Sequence, residues 1–237
     1  MFVTSDEFNE ISAGGAGKEK SSVSLSQKAY EQIRRKIVTL ELPPGSIVDE
    51  GELQEQLELG RTPIREALLR LSLEKLVTII PRRGIFVTDI RITDLKQLFE
   101  VRMTLESLAA RLAASRGTEK HWRQMRAALS NLPDHDHPAK NQALIVVDEM
   151  CHAIIYEASD NNILKDTLTE LYALSLRLWY FFLLKIGNMQ SAIEEHIRIL
   201  EALEARDADQ AAYLLEGHIR SFQEEIQAAM LGVVSPD

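Results

Sequence analysis

The chain lacks disulfides, uninterrupted apolar stretches and net positive charge. Cys151 is the single cysteine among 237 residues, so no disulfide can form within the chain, which is usual in a reducing cytoplasm. The longest apolar-looking run, residues 171–186, contains Arg177 and Lys185 and is short for a bilayer span of roughly 20 residues. We therefore expect a cytoplasmic protein without a membrane partner, in which this run is a buried helix.

Periodicity is missing at the start of the chain. Residues 1–23 contain Gly14-Gly15 and several serines, and they lack the apolar core of a signal peptide. A chain of this length can form two modest domains, each with its own core. We expect a flexible arm over residues 1–23, a first domain over residues 24–90 and a second over residues 91–237.

The absence of net positive charge argues against a surface that attracts nucleic acid everywhere. The formal charge of the chain is −9, yet residues 60–87 contain six cations and two acids, a local charge of +4. A cationic segment on an acidic body indicates where a phosphate backbone would bind. On charge alone, an ordinary solvated helix face with a hairpin is an equally good interpretation.

Residues 60–87 are predicted to form a helix followed by a β-hairpin. Apolar residues recur at helical spacing from Ile64 onward, after a proline that a first helical turn tolerates. Two short β-branched runs come next, and the turn between them contains Arg82, Arg83 and Gly84. A helix followed by a hairpin with a basic tip is typical of a winged DNA-binding domain.

Two further helices are predicted upstream. Helical periodicity runs from Ser26 to Leu40 and stops at a Leu-Pro-Pro-Gly sequence. It resumes after Asp49, a candidate N-cap with Glu52 three residues later. A short helix, a tight turn and a second helix form the helix-turn-helix plan.

A family resemblance covers this region, in the run IRRKIVTLELPPGSIVDEGELQEQLELGRTPIREALLRLSLEKLV. The run resembles the N-terminal winged helix-turn-helix of GntR-type bacterial transcription regulators. The resemblance implies that Arg61, Thr62 and Arg65 contact DNA from the recognition helix. It also implies that Gly84 at the wing tip approaches the minor groove, and Arg83 beside it is a further candidate for DNA contact.

The sequence departs from the family pattern around the turn. Glu58 stands where the turn usually has glycine, and Gly60 stands where a serine or threonine usually sits. Gly51 replaces an arginine that contacts DNA in some members. The resemblance therefore does not extend to the geometry of the turn or to a contact from Gly51.

Every segment beyond residue 93 has a helical period. Asp160 and Asp207 are candidate N-caps within this region. The predicted fold class is mainly α, a winged helix-turn-helix with a small β-hairpin wing followed by an all-α six-helix bundle. The six predicted helices cover residues 93–115, 119–132, 140–159, 161–186, 191–205 and 208–230.

Ionisable residues occupy the apolar faces of these helices. Asp148 and His152 lie one turn apart on one face, while His196 and His218 each lie on an apolar stripe. Arg102 interrupts the apolar stripe of the first helix of the bundle. Burying such groups costs several kcal/mol unless they are paired or coordinated.

Two interpretations of these histidines remain open. A single histidine on an apolar stripe is more often hydrogen-bonded than metal-bound. If the three imidazoles and Asp148 converge, they suit a divalent metal ion such as zinc, nickel or manganese, with room for exogenous ligands. Arg102 would then offer a fork to a carboxylate bound at that metal. The DHDH sequence of residues 134–137 has no apolar neighbours and is expected to be a solvated loop.

A second resemblance favours the metal. It lies in the segments VRMTLESLAARLAA, DEMCHAIIYEASDNN, EEHIRILEALEARDADQA and LEGHI. These are similar to the all-α ligand-binding (FCD) domain of the FadR subgroup, in its metal-containing branch. The resemblance implies that Asp148, His152, His196 and His218 hold a divalent cation, and that a small organic acid is the effector.

Together these features predict a homodimeric DNA-binding transcription regulator rather than an enzyme. Its expected partners are double-stranded operator DNA and a small carboxylate effector bound by the metal and Arg102. The resemblance favours a repressor that the effector releases from DNA. The alternatives are a metal-dependent hydrolase fused to a DNA-binding domain, and an architectural DNA-binding protein that has no effector pocket.

Overall fold

The computed structural model describes residues 24–130, 140–182 and 190–231. The predicted arm and the DHDH sequence of residues 134–137 lie outside the described residues. The predicted ends of two helices, at Leu132 and Ile186, also fall outside them. Within the described part of the chain, no helix is both long enough and apolar enough to cross a bilayer.

The N-terminal region contains three helices and a small antiparallel sheet. The predicted hairpin is present, and its register pairs Val77 with Val87. A third strand, which we did not predict, pairs Ile47 with Phe86, so the strand order is β1-β3-β2. The elements are α1 (Leu25–Val38), β1 (Ile47–Val48), α2 (Glu50–Leu57), α3 (Arg61–Leu73), β2 (Val77–Ile80) and β3 (Gly84–Val87).

The turn between α2 and α3 forms without the usual glycine. Glu58 adopts the left-handed conformation, with φ 53° and ψ 40°, and its N–H donates to the carbonyl of Gln54. The Asp49 carboxylate caps α2 by accepting from the N–H groups of Gly51 and Glu52, at 2.7 Å and 3.0 Å. Helix-turn-helix geometry is therefore kept, at the cost of a left-handed residue that carries a Cβ.

The core of this region lies between α1 and α3. Five apolar side chains from the two helices are almost completely buried, as the predicted periodicity requires. They are Ile33, Ile37, Ile64, Leu68 and Leu71.

The C-terminal region is all-α, as predicted. Asp207 caps the last helix by accepting from the N–H of Gln210 at 3.0 Å, but the predicted cap at Asp160 is wrong. Asn161 caps that helix instead, through the N–H of Leu164, because Asp160 takes a left-handed conformation. The helices are α4 (Ile92–Arg116), α5 (Glu119–Ser130), α6 (Lys140–Ala158), α7 (Asn162–Phe182), α8 (Gln190–Glu204) and α9 (Ala208–Leu231).

Helices α4 and α9 pack along each other, and α6, α7 and α8 close around them. Phe222 of α9 joins the layers, because its ring stacks on Trp179 at 4.1 Å and meets the edge of Phe99 at 5.4 Å. Aromatic packing of this kind fixes the helices relative to one another. The inner faces of α4, α6, α8 and α9 consequently point to one buried centre.

The two regions contact each other through α1 and α7. Leu174 of α7 packs against the N-terminal core, and Val38 of α1 is buried in the C-terminal core. Arg34 donates to the carbonyl of Thr169 at 3.1 Å. Helix α7 thus reaches from the buried centre of the bundle to the winged region.

Candidate DNA-reading surface and metal centre

The residues predicted to contact DNA lie at one end of α3 and at the tip of the hairpin. Arg61, Thr62 and Arg65 are exposed in the first two turns of α3, which starts after the capping position of Gly60. Arg83 and Gly84 are exposed at the wing tip, where Gly84 has φ 115°. A side chain at residue 84 would be strained by this conformation, so glycine leaves the tip slim enough for a groove.

A cleft of about 480 Å³ separates the wing from the start of α3. Arg61, Gly84 and the beginning of α2 all line it. Glu50, the first residue of α2, places Oε2 2.7 Å from Nε of Arg65. The structure therefore brings two of the predicted DNA contacts to one cleft, with an acid beside them that sequence reasoning missed.

The four predicted metal ligands converge in the centre of the C-terminal bundle. Asp148 and His152 come from α6, His196 from α8 and His218 from α9. All four are buried, and one ligand atom from each lies within 4.8 Å of the others. Of the two interpretations left open by the sequence, convergence is the one that the structure supports.

Asp148 lies among the three imidazoles. Its Oδ1 is 3.2 Å from Nε2 of His218 and 3.6 Å from Nδ1 of His196. Its Oδ2 is 3.8 Å from Nε2 of His152 and accepts a hydrogen bond from the Tyr172 hydroxyl at 2.6 Å. Tyr172 therefore orients the carboxylate from α7.

Outer contacts hold one nitrogen of each imidazole. Nδ1 of His152 lies 2.6 Å from Oε2 of Glu106, and Nδ1 of His218 lies 2.7 Å from Oε2 of Glu195. Nδ1 of His196 lies 2.9 Å from the carbonyl of Ala192. Carboxylates and carbonyls in these positions orient the rings and leave Nε2 for a metal.

Burial and mutual contacts spread the pKa values of the site apart. Burial, together with the charge on His218, lowers the pKa of His196 to about 3. Burial opposes charge on His218 as well, but Asp148 and Glu195 raise its pKa to about 9. The imidazoles hold the pKa of Asp148 well below its usual range although burial works against this. The carboxylate is therefore ionised and His196 is neutral, as metal ligands require, whereas His218 has to release a proton when a metal binds.

Two atoms of the set lack hydrogen-bond partners. Oδ1 of Asp148 and Nε2 of His196 are both buried without one, although Nε2 of His218 lies 3.2 Å from that oxygen. Unsatisfied buried polar atoms are costly and need an explanation. A carboxylate oxygen and an imidazole Nε2 facing one point are suitable ligands for zinc, nickel or manganese, so the residues fit a divalent ion.

Arg102, the predicted effector contact, is 2% exposed and paired within the protein. Its Nε donates to Oε1 of Glu106 at 2.6 Å, and its Nη2 contacts the same oxygen. The guanidinium also lies 5.0 Å from the ring centroid of Tyr172. Although burial opposes charge on Glu106, Arg102 and His152 lower the pKa of this carboxyl to about 2. Arg102 therefore connects to the metal set through Glu106 and His152.

Sequence reasoning missed the supporting residues of this site. Glu106 had a detectable signal, since it lies one turn after Arg102 on the inner side of the same helix. Glu195 and Tyr172 had none, because their partners lie on other helices. Cys151 is fully buried, and burial raises the pKa of its thiol, so a small apolar role fits it better than redox reactivity.

The fold and the site together define a class of protein, a winged helix-turn-helix DNA-binding region joined to an all-α domain with a buried cluster of possible metal ligands. Comparison with known families agrees with this class. The family model described as "Bacterial regulatory proteins, gntR family" matches residues 25–87, and the "FCD domain" model matches residues 97–221. The chain therefore belongs to the GntR family of bacterial regulators with an FCD domain, and placement in the FadR subgroup fits that domain.

Individual relatives carry regulator names. The chain is 26% identical over 203 residues to the HTH-type transcriptional repressor RspR of Escherichia coli K12, covering 86% of this chain and 89% of that protein. It is 28% identical over 198 residues to the Nta operon transcriptional regulator of Aminobacter aminovorans, covering 84% and 92%. The solved structure of E. coli McbR/YncC has the same fold, with a TM-score of 0.75 and 23% identity over 89% of this chain and 99% of that chain.

Proposed function

We propose that this transcription regulator is a repressor. Its affinity for the operator depends on a small organic acid that binds at a divalent metal in the C-terminal bundle. The proposed metal site is supported by one observation, the convergence of four buried side chains, two of which have an unsatisfied ligand atom. The four residues are Asp148, His152, His196 and His218. When bound, the metal supplies a Lewis-acidic position that attracts an effector carboxylate. The repressor name of the relative RspR supports the direction of control.

Elemental analysis tests the metal. Protein purified without added metal is expected to contain about one divalent ion per chain, as a set of four ligands implies. The variant His196→Ala, His218→Ala is expected to contain little, while His121→Ala, which changes a histidine outside the set, keeps the ion. Chelation lowers the melting temperature of the wild type because the ion binds only the folded state. Full occupancy of the double variant would remove the site.

Arg102→Lys tests the effector contact without leaving Glu106 unpaired. Lysine keeps a cation beside this buried carboxylate but loses the planar fork that binds a second carboxylate. A thermal-shift screen of mono-, di- and tricarboxylic acids on the wild type identifies the acid to use. The variant is expected to retain its metal and to show a weaker effect of that acid on operator affinity. An undiminished effect would exclude Arg102 from the pocket.

The protein is proposed to act as a cytoplasmic homodimer on a palindromic operator. Two recognition helices related by a two-fold axis enter successive major grooves, so half-sites lie about 34 Å apart. An effector that changes the relative placement of the two winged helix-turn-helix regions in the dimer alters operator affinity. A coupling of about 1–3 kcal/mol is typical and sufficient for such a switch.

The hydrolase alternative gains no support from the relatives named above, which are regulators. Turnover of candidate acids or esters by the metal-loaded protein would favour it. The architectural alternative predicts that no organic acid changes the melting temperature. The turnover assay therefore decides the first alternative, and the thermal-shift screen decides the second.

A further inference from the structure

An acidic residue lies among the arginines of the DNA-reading surface. Oε2 of Glu50 is 2.7 Å from Nε of Arg65 and 4.0 Å from Nε of Arg61. Glu50 also lines the cleft between the wing and α3. A carboxylate at this position repels the phosphates that the surrounding cations attract.

Fold stability does not explain this contact. The side chain of Arg65 is 55% exposed, and exposed ion pairs contribute little to folding. The other acid of the cleft, Asp49, differs because its carboxylate caps α2 through two backbone N–H groups. Glu50 lies in the first turn of the already capped α2, where an acid adds a modest favourable interaction with the helix N-terminus, but this interaction does not require a contact with Arg65.

The geometry of the contact suits base recognition. Glu50 holds Arg65 through Nε, and within the described part of the chain the two Nη groups of Arg65 have no hydrogen-bond partner. Arginine reads guanine by donating two hydrogen bonds to O6 and N7. Holding the side chain in one orientation before DNA arrives reduces the rotamer entropy lost on binding.

We propose that Glu50 is a positioning residue that determines operator specificity by orienting Arg65 for a bidentate contact with a base. This inference rests on the DNA-binding function proposed above. Glu50 has two effects on DNA binding. Its carboxylate weakens the attraction to any duplex, and the Arg65 side chain that it orients strengthens binding to the correct operator.

The test compares two duplexes with the full-length protein. An operator is selected from a random duplex library with the wild type, and a scrambled duplex of equal composition serves as the competitor. Dissociation constants are measured for both across a range of KCl concentrations. Glu50→Ala is expected to reduce the operator-to-scrambled affinity ratio about tenfold, the size of a weakened bidentate arginine–base contact. Binding to the scrambled duplex is expected to tighten.

Matched variants isolate the contact. Glu52→Ala removes the same charge from the same turn of α2 without an arginine contact, and the ratio is expected to stay unchanged. In an Arg65→Ala background, Glu50→Ala is expected to change the ratio by less than about twofold, because the interaction is already gone. Glu50→Gln replaces the charge-assisted bond with a weaker one, and it is expected to lose part of the ratio.

Three outcomes would overturn the inference: an unchanged ratio in Glu50→Ala, an equal fall in Glu52→Ala, or an equal fall in the Arg65→Ala background. If Glu50→Ala raises the affinity for both duplexes equally, the ratio is unchanged, and Glu50 acts only by repelling phosphates. These outcomes leave DNA binding itself intact. If the wild type enriches no sequence from the library, the proposed function fails instead.

Discussion

A residue in an unfavourable backbone conformation marks the turn of the DNA-binding region. Glu58 takes a left-handed conformation, with φ 53°, which glycine adopts more readily than a residue with a Cβ. For a residue with a Cβ this costs about 1–2 kcal/mol. Its N–H still caps α2, so the strain is tolerated and the turn keeps its shape.

Glu58→Gly is therefore expected to increase the free energy of unfolding by about 1 kcal/mol, since relief of strain exceeds the extra entropy of glycine in the unfolded chain. Urea denaturation followed by circular dichroism measures this. Glu58→Ala keeps the Cβ and is expected to show no gain. A gain of the same size in Glu58→Ala would attribute the effect to the side chain rather than to the backbone.

Individual residues outside the proposed ligand set are expected to affect metal binding as well. Glu106 contacts both His152 and Arg102 and is fully buried. Glu106→Gln is expected to weaken metal affinity by about 10–100-fold, the usual effect of removing a partner that orients a ligand. Competition with a chelator of known affinity measures this, with the exposed Glu100→Gln on the same helix as control. Unchanged affinity would mean that His152 needs no support from Glu106.

At the scale of elements, helix α7 lies between the two functional centres. Tyr172 on this helix donates to the proposed metal ligand Asp148, while Thr169 and Arg177 contact the winged region. Nη2 of Arg177 donates to the carbonyl of Thr88, just after β3, at 2.5 Å. Burial lowers the pKa of Arg177 to about 10, with partial compensation from Asp89. Because an uncompensated buried cation is costly, the hydrogen bond to Thr88 matters for this junction between α7 and the winged region.

Arg177→Leu is expected to reduce communication between the centres. The ratio of operator affinities with and without the effector acid should fall toward one, because the contact between α7 and the end of the wing is lost. Gel-shift titrations of metal-loaded protein with and without the acid from the thermal-shift screen measure the ratio. Lys165→Gln removes a cation from the exposed side of α7 and should keep the wild-type ratio. If Arg177→Leu also keeps the wild-type ratio, the contact between Arg177 and Thr88 does not couple the C-terminal site to DNA binding.

At the scale of the whole molecule, an acidic protein must present its cationic end to DNA. The chain carries −9 overall, while residues 60–87 carry +4. Non-specific binding is therefore expected to be weak and to depend on few phosphates. The two-fold operator of the proposed function further requires that two chains associate without covering this end.

Helix α4 offers a surface for that association. Val101 and Leu108 lie seven residues apart on one side of α4 and are 47% and 43% exposed. Leu108→Glu is expected to shift the protein from dimer to monomer in analytical ultracentrifugation and to weaken operator binding. Ile163→Glu, at an exposed apolar position on α7, should leave the mass unchanged. A Leu108→Glu dimer of wild-type stability would place the interface elsewhere.

The mainly α fold class and the HTH-plus-wing plan were predictable from the sequence because their signals are local. Helical periodicity and caps such as Asp49 depend on residues within a few positions of each other, and the observed helices agree with it. The cap at Asp160 was mispredicted because backbone conformation decided between it and Asn161. Strand β1 was missed because a pair of residues has no period of its own.

The sequence by itself determined which residue types stand on which helix faces, including the ionisable groups on apolar stripes. Only the tertiary structure decided which of them meet, because packing brings together residues far apart in the chain, such as Tyr172 with Asp148 and Glu50 with Arg65. Burial then raises the cost of any unpaired polar atom. Because the histidines and Asp148 are buried together with unpaired atoms, they fit a metal site.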